Sequence, residues 1–183
     1  MTASRTVLAV GRLTHQKGFE RLIRAWAAVA PEHPGWKLEI VGSGPQLDML
    51  LNMAADAGVA SSVLFSGNCP DMAAKYRTAA LLAMTSRYEG LPMALIEAQT
   101  CGLPAVAMDC KCGPRDVITD GSDGFVTPAG DIEAFASRLS QLMADDALRA
   151  RMAQNALAAS ARYRREAIMN RWLELFNQLT DNK

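Results

Sequence analysis

Residues 80–108 read ALLAMTSRYEGLPMALIEAQTCGLPAVAM. Ala80 to Thr85 is a short apolar run of a length that suits a buried strand. Pro92 to Thr100 carries a helical pattern, with Pro92 at its first turn and Gly102 just past its end, followed by Leu103-Pro104. Ala105 to Met108 is another short apolar run. A strand, a polar glycine-containing loop, a helix and a second strand in immediate succession predict a parallel pair joined by a right-handed crossover.

The same alternation extends toward the N-terminus. Thr6 to Gly11 reads as a first strand, Phe19 to Val29 as a helix, and Lys37 to Val41 as a second strand. Pro45 to Ala57 reads as a helix closed by Gly58, Val63 to Phe65 as a third strand, and Asp71 to Thr78 as a short helix with Asp71 as its cap. Toward the C-terminus, Gly124 to Thr127 is a short sixth strand. Helices then follow over Ile132 to Met143 (capped by Asp131), Asp146 to Tyr163, and Arg165 to Leu179. The expected fold is α/β: a doubly wound, Rossmann-like parallel sheet of six strands with C-terminal helices. In such folds ligands bind beyond the carboxyl ends of the strands. Four loops sit there: 11–18, 42–45, 67–70 and 86–92.

Composition narrows the partners. The chain of 183 residues is 50% hydrophobic and carries 19 Lys plus Arg against 19 Asp plus Glu, so it has no net charge. It has no general attraction to nucleic acid or anionic membrane. An anion must be held by a few placed cations and backbone amides. No apolar stretch is long enough to span a bilayer, and no leader-like run opens the sequence. Cys69, Cys101, Cys110 and Cys112 lack the spacing of a disulfide framework and read as reduced thiols in a cytosolic protein. Cys110-Lys111-Cys112 has no second pair or nearby histidine, and His15 and His33 lack zinc spacing, so no metal site is expected.

Chemistry is sought in the strand-end loops. Arg12 and Lys17, one just after a strand and one just before a helix, suit a diphosphate if they converge. The competing reading is a solvated loop with ordinary surface charges. Gly42-Ser43-Gly44-Pro45-Gln46-Leu47 begins like a dinucleotide-binding turn. Leu47 replaces its third glycine, however, and Asn68 stands where a ribose-binding acid is expected, which argues against a standard NAD site. In Glu89-Gly90-Leu91-Pro92-Met93-Ala94, Gly90 allows close approach of backbone to ligand, and the free amides of the helix start can hold an anion. Glu89 alone suits the positive end of the helix dipole. Glu97 has apolar sequence neighbours and must find donors. It caps a buried backbone group, pairs with an arginine, or accepts two ribose hydroxyls.

Glu89 and Glu97, with Ala98, Gly102 and Pro104, fit the pattern E-G-x6-E-A-x3-G-x-P. This resembles the signature of the family-4 retaining glycosyltransferases with the GT-B fold. Gly11-Arg12-Leu13 with Gln16-Lys17-Gly18, and Gly113-Pro114-Arg115-Asp116 with Asp120-Gly121 and Gly124, resemble further segments of that family, in the same order. The resemblance runs from about residue 5 to about 175. It implies a catalytic set of Arg12, Lys17 and Glu89, with the two cations on the donor diphosphate and Glu89 near the sugar. It also implies donor binding by Gly11, Gly42, Asn68, Cys69 and Glu97, and by the amides after Gly90, those of Leu91, Met93 and Ala94. Glu97 takes the ribose, and Asn68 and Cys69 lie by the base.

The implied substrate is a nucleoside diphosphate-sugar, UDP-sugar favoured, with no cofactor and no metal. The implied process is bacterial surface polysaccharide or lipopolysaccharide synthesis on the cytoplasmic side. Residues 1–183 are then one donor-binding domain whose partner, an N-terminal acceptor-binding domain, this sequence does not supply. Residues 165–183 form a tail helix directed toward that domain, which would also make any contact with the inner face of the membrane. The rival expectations are a non-catalytic nucleotide-sugar-binding or interaction module and half of a sugar-nucleotide epimerase.

Overall fold

A computed structural model describes residues 4–181. The first three residues of the expected domain and the last two of its tail lie outside the described residues. Six strands, β1 (Thr6–Val10), β2 (Lys37–Val41), β3 (Val63–Gly67), β4 (Leu81–Met84), β5 (Ala105–Met108) and β6 (Gly124–Thr127), form one sheet in the order β3-β2-β1-β4-β5-β6. Every pair is parallel, with Val7 opposite both Leu38 and Leu81. The direction of winding reverses between β1 and β4, so their carboxyl ends flank the crevice expected to hold ligand.

Alternation along the strands explains the two-sided core. Val7, Ala9, Leu81, Ala83, Val106 and Met108 face one apolar layer, built largely from α1 (Phe19–Val29), α2 (Leu47–Asp56) and α5 (Ile132–Ala144). Leu8, Leu82, Met84, Ala105 and Ala107 face the other, built from α3 (Met72–Thr78) and α4 (Met93–Thr100). Two further helices, α6 (Asp146–Ala159) and α7 (Arg165–Asp181), complete the chain. α1 shows how sequence makes the layer: Phe19, Leu22, Ile23, Trp26 and Val29 recur at helical spacing and all are buried.

Helix ends follow their caps. Asp71 Oδ1 and Asp131 Oδ1 each accept an N–H three residues on, at 2.9 Å, as expected. The helix expected to run to Tyr163 stops at Ala159 and passes into a single 3-10 turn. α2 begins at Leu47 rather than Pro45, because the Gln46 N–H reaches across to the Leu13 carbonyl (3.1 Å). α7 projects a stripe to solvent. Met169, Trp172, Leu173, Leu175, Phe176 and Leu179 are each 43–60% exposed, and the Trp172 and Phe176 rings stack at 5.8 Å.

One ion pair pins the edge of the sheet. Glu39 of β2, 8% exposed, accepts from Lys75 Nζ and from the Ser66 hydroxyl, both at 2.5 Å. Burial opposes the charge on Glu39, but the bonds from Lys75 and Ser66 outweigh it and hold the carboxyl below its usual range. Lys75 is raised by the same bond. Stability from Glu39 is therefore fully present above the unfolded glutamate value of about 4.3 and is lost as pH falls through the lower folded value. Stability from Lys75 is present below about 10.4 and is lost as pH rises through its raised value. Glu39→Gln is expected to lower stability at pH 7 and to flatten the acid limb of a urea-denaturation series run against pH. A limb as steep as wild type would show that the pair does not carry it.

Candidate functional site

The loops at the carboxyl ends of the strands are stitched together by backbone bonds. The Gly11 N–H donates to the Val41 carbonyl (3.0 Å), the Leu13 N–H to Ser43 (2.9 Å), and the Gly42 N–H to Gly67 (2.8 Å). These approaches leave no room for side chains. A Cβ on Gly42, at φ 143°, would lie 1.9 Å from the Gly11 oxygen, and one on Gly44 would lie 2.5 Å from the Leu13 oxygen. The result is an open cavity of about 340 Å³ walled by Gly11, Arg12, Gly42, Asn68, Cys69 and Met72. Arg12 is exposed on it, and its guanidinium has no hydrogen bond or ion pair among the described residues.

Lys17 packs beside this cavity, over Gly11. It ends a single 3-10 turn, His15–Lys17, terminated by Gly18 in the left-handed conformation (φ 63°). Its side chain lies back over Gly11, with Cε 2.8 Å from where a Cβ there would stand. Nζ pairs with Glu89 Oε1 at 2.7 Å, and the Glu89 side chain is 7% exposed. The structure thus joins two residues that stand 72 positions apart in sequence. A bridge between Tyr88 and Lys111 lays the Cys110 segment alongside. Burial, then the nearby Glu89 and Asp109 carboxylates, push the Cys110 thiol up. Among the described residues no group of three or more His, Cys, Asp and Glu side chains could hold a metal ion.

The start of α4 differs in detail from its sequence reading. Pro92 is the cap residue and the helix begins at Met93. The Met93 N–H does not stand spare, because it donates to the Leu91 carbonyl at 2.8 Å in a tight turn. Ala94 N–H has no backbone acceptor among the described residues. A Cβ on Gly90 would meet nothing within 4 Å, so the backbone there faces open space, and the side chains of Leu91 and Met93 are exposed.

Glu97 is not enclosed by its apolar sequence neighbours. Leu95, Ile96, Ala98 and Gln99 turn inward while Glu97 is exposed. It neither caps a buried backbone group nor pairs with an arginine. The Tyr76 hydroxyl, almost wholly buried, donates to Oε2 at 2.8 Å. Burial and the adjacent carboxylate push the Tyr76 phenol far above its ordinary value, so it stays a donor. Oε1 of Glu97 has no partner among the described residues and is free to accept. The buried polar side chain of α4 is Gln99, whose Nε2 donates to the Val117 carbonyl at 2.9 Å.

Sequence reading missed four residues that shape the site: Glu20, Tyr76, Thr85 and Arg87. Arg87 lies in the 86–92 strand-end loop and Thr85 ends the apolar run before it, the two local signals among them. Tyr76 is one of only three tyrosines, but nothing nearby marks it. A larger cavity, about 1120 Å³, lies at the opposite end of the sheet by Arg5, Trp36 and Arg149. Its buried arginine is already spent on the Leu142 and Met143 carbonyls, Asp146 and the Trp36 ring. That end is the wrong one for a ligand in a parallel sheet.

Residues 2–158 match the family model described as Glycosyl transferases group 1. The chain is 44% identical over 171 residues to the amylovoran biosynthesis glycosyltransferase AmsD of Erwinia amylovora, a match covering 93% of this chain and 48% of that protein. It is 33% identical to the lipopolysaccharide core biosynthesis glycosyltransferase LpsE of Rhizobium meliloti, covering 92% of this chain and 48% of that one. It spans about half the length of these curated relatives. A mutant of S. aureus TarM, crystallised with fondaparinux, α-GlcNAc-glycerol and UDP, superposes with a TM-score of 0.89 at 29% identity, over 96% of this chain and 36% of that one. Among the described residues no helix is long and apolar enough to cross a membrane.

Proposed function

Because this chain belongs to the glycosyl transferases group 1 family, we propose that it is the donor-binding half of a retaining glycosyltransferase. In this reading the whole enzyme moves a sugar from a nucleoside diphosphate-sugar to an acceptor hydroxyl in bacterial polysaccharide or lipopolysaccharide synthesis. The observation that carries the reading is the unpaired Arg12 on a strand-end cavity, with the Lys17 side chain, paired to Glu89, lying over Gly11 of its wall. The relatives' names supply the process, and the UDP in the TarM structure favours a UDP-sugar.

The residues divide the work. Arg12 and Lys17 neutralise the diphosphate as the bond to the sugar breaks, where charge develops and fixed cations act most strongly. No metal is required in this scheme. Glu89, held by Lys17, stands near the sugar, and the amides of Leu91 and Ala94 meet its hydroxyls or the phosphate. Glu97, steadied by Tyr76, accepts from the ribose, and Asn68 and Cys69 flank the base. The acceptor and the groups that orient it belong to the other half of the enzyme, which covers part of the exposed α7 stripe. Alone, this chain binds donor weakly and transfers no sugar, since the proximity contribution is absent. Four free cysteines suit a cytoplasmic location.

Calorimetry with UDP, GDP, ADP, uridine and inorganic phosphate tests the assignment. UDP should bind best and uridine measurably. Glu97→Gln should weaken uridine by about 1.5 to 3 kcal/mol, the scale of a charged hydrogen bond, and leave phosphate unchanged. No binding of any nucleotide would leave a non-catalytic interaction module. Equal losses for uridine and phosphate would make Glu97 a structural residue. Sugar transfer by this chain alone, at the rate of a complete enzyme, would overturn the division between halves.

A further inference from the structure

We infer that Arg87 is a positioning residue: it locks the turn that carries Lys17 against the Glu89 segment and so sets the diphosphate end of the site. The inference rests on the proposed role of Lys17. The turn has little stability of its own. It has three residues, no side-chain cap, and one closing bond from the Lys17 N–H to the Thr14 carbonyl (3.0 Å). What fixes it comes from residues 85–88. The Arg87 N–H donates to the Gln16 carbonyl (2.8 Å), and Gln16 Nε2 returns a bond to the Tyr88 carbonyl (3.1 Å). The Thr85 hydroxyl donates to the carbonyl of Gly18 (2.9 Å) and lies 3.2 Å from that of Lys17.

The Arg87 guanidinium spans two elements at once. One nitrogen donates to the His15 carbonyl (2.7 Å), and the other pairs with Glu20 Oε1 in the first turn of α1 (2.5 Å). A planar fork can hold a carbonyl and a carboxylate in fixed relation, whereas a lysine ammonium cannot reproduce that geometry. Arg87 does not line the cavity beside Arg12. It stands two residues from Glu89, so one short segment carries both the clamp and the counter-charge of Lys17. Burial opposes the charge on Glu20, but the Arg87 bond, the residue's own backbone N–H and nearby cations hold the carboxyl below its ordinary value. The second Glu20 oxygen is buried without a partner. Loss of Arg87 therefore strands a buried carboxylate, and the turn with Lys17 must shift to relieve it.

The test measures UDP and uridine affinities by calorimetry for wild type, Arg87→Ala, Arg87→Lys, Lys17→Ala and the Arg87→Ala/Lys17→Ala double variant. Arg87→Ala should weaken UDP about tenfold while uridine stays within about twofold. Arg87→Lys should lose several-fold, and millimolar guanidinium should restore part of the UDP affinity of Arg87→Ala. The double variant should bind UDP no worse than Lys17→Ala, because the two changes act through one group. If Lys17→Ala leaves UDP unchanged, the diphosphate role of Lys17 falls. If Lys17→Ala weakens UDP and Arg87→Ala does not, the positioning role alone falls. Equal loss of UDP and uridine in Arg87→Ala would make the residue merely structural. Should Arg87→Ala not fold, Arg87→Lys decides: UDP binding like wild type overturns the inference.

Discussion

Gly42→Ala is expected to destabilise the chain by about 3 to 5 kcal/mol, at the upper end of single substitutions, and to abolish nucleotide binding. Two effects combine. The residue holds φ 143°, which a side chain rarely adopts, and its Cβ would stand 1.9 Å from the Gly11 oxygen. That oxygen is backbone and cannot swing aside. Relief requires β1 and β2 to part at their carboxyl ends, where the Gly11 to Val41 and Gly42 to Gly67 bonds close the floor of the cavity. Gly67→Ala is the control. Gly67 also has positive φ (64°), but its Cβ would meet nothing within 4 Å. It should cost about 1 kcal/mol, the conformational penalty alone. Urea denaturation of both variants checks the contrast, and equal losses would show that close approach is not what the site demands at residue 42.

The Arg12→Ala/Lys17→Ala double variant should bind UDP no better than uridine. Each cation is worth roughly 1.5 to 3 kcal/mol as a charge-assisted bond to the diphosphate. The two singles should differ in a second respect. Arg12 has no partner among the described residues, so Arg12→Ala should leave stability unchanged. Lys17→Ala strips the 7%-exposed Glu89 of its ion pair and should lower stability as well, by roughly 1 to 3 kcal/mol. Thermal melts beside UDP and uridine titrations separate the two. A wild-type chain that binds uridine as tightly as UDP would remove the diphosphate from the scheme.

Most of the sheet was legible because both its faces are covered. Strands such as Leu81–Met84 and Ala105–Met108 are buried at every position and stand out as uniform apolar runs between breakers. Boundaries shifted where a distant loop intervened: α2 starts late because the Gln46 N–H seeks the Leu13 carbonyl, a contact without local trace. The candidate site was legible in residue types more than in pairings. Lys17 with Glu89 and Arg87 with Glu20 join positions 72 and 67 apart, and neither half announces the other. Glu97 misled for a different reason. Its neighbours along the chain are apolar, but successive residues on a helix point about 100° apart, so their burial says little about its own.

The strand-end loops have a kinetic consequence. Arg12 and the glycines that floor the cavity are present once the first three strands are made, but the turn bearing Lys17 is held by residues 85–88, brought in by the pairing of Val7 with Leu81. A nascent chain ending before β4 has half a pocket and an untethered lysine. The loop-closure entropy of that central pairing must be met before the proposed diphosphate end takes shape. On the proposed reading, competence for nucleotide would report on long-range closure of the sheet, and bound nucleotide should slow unfolding more than it speeds refolding.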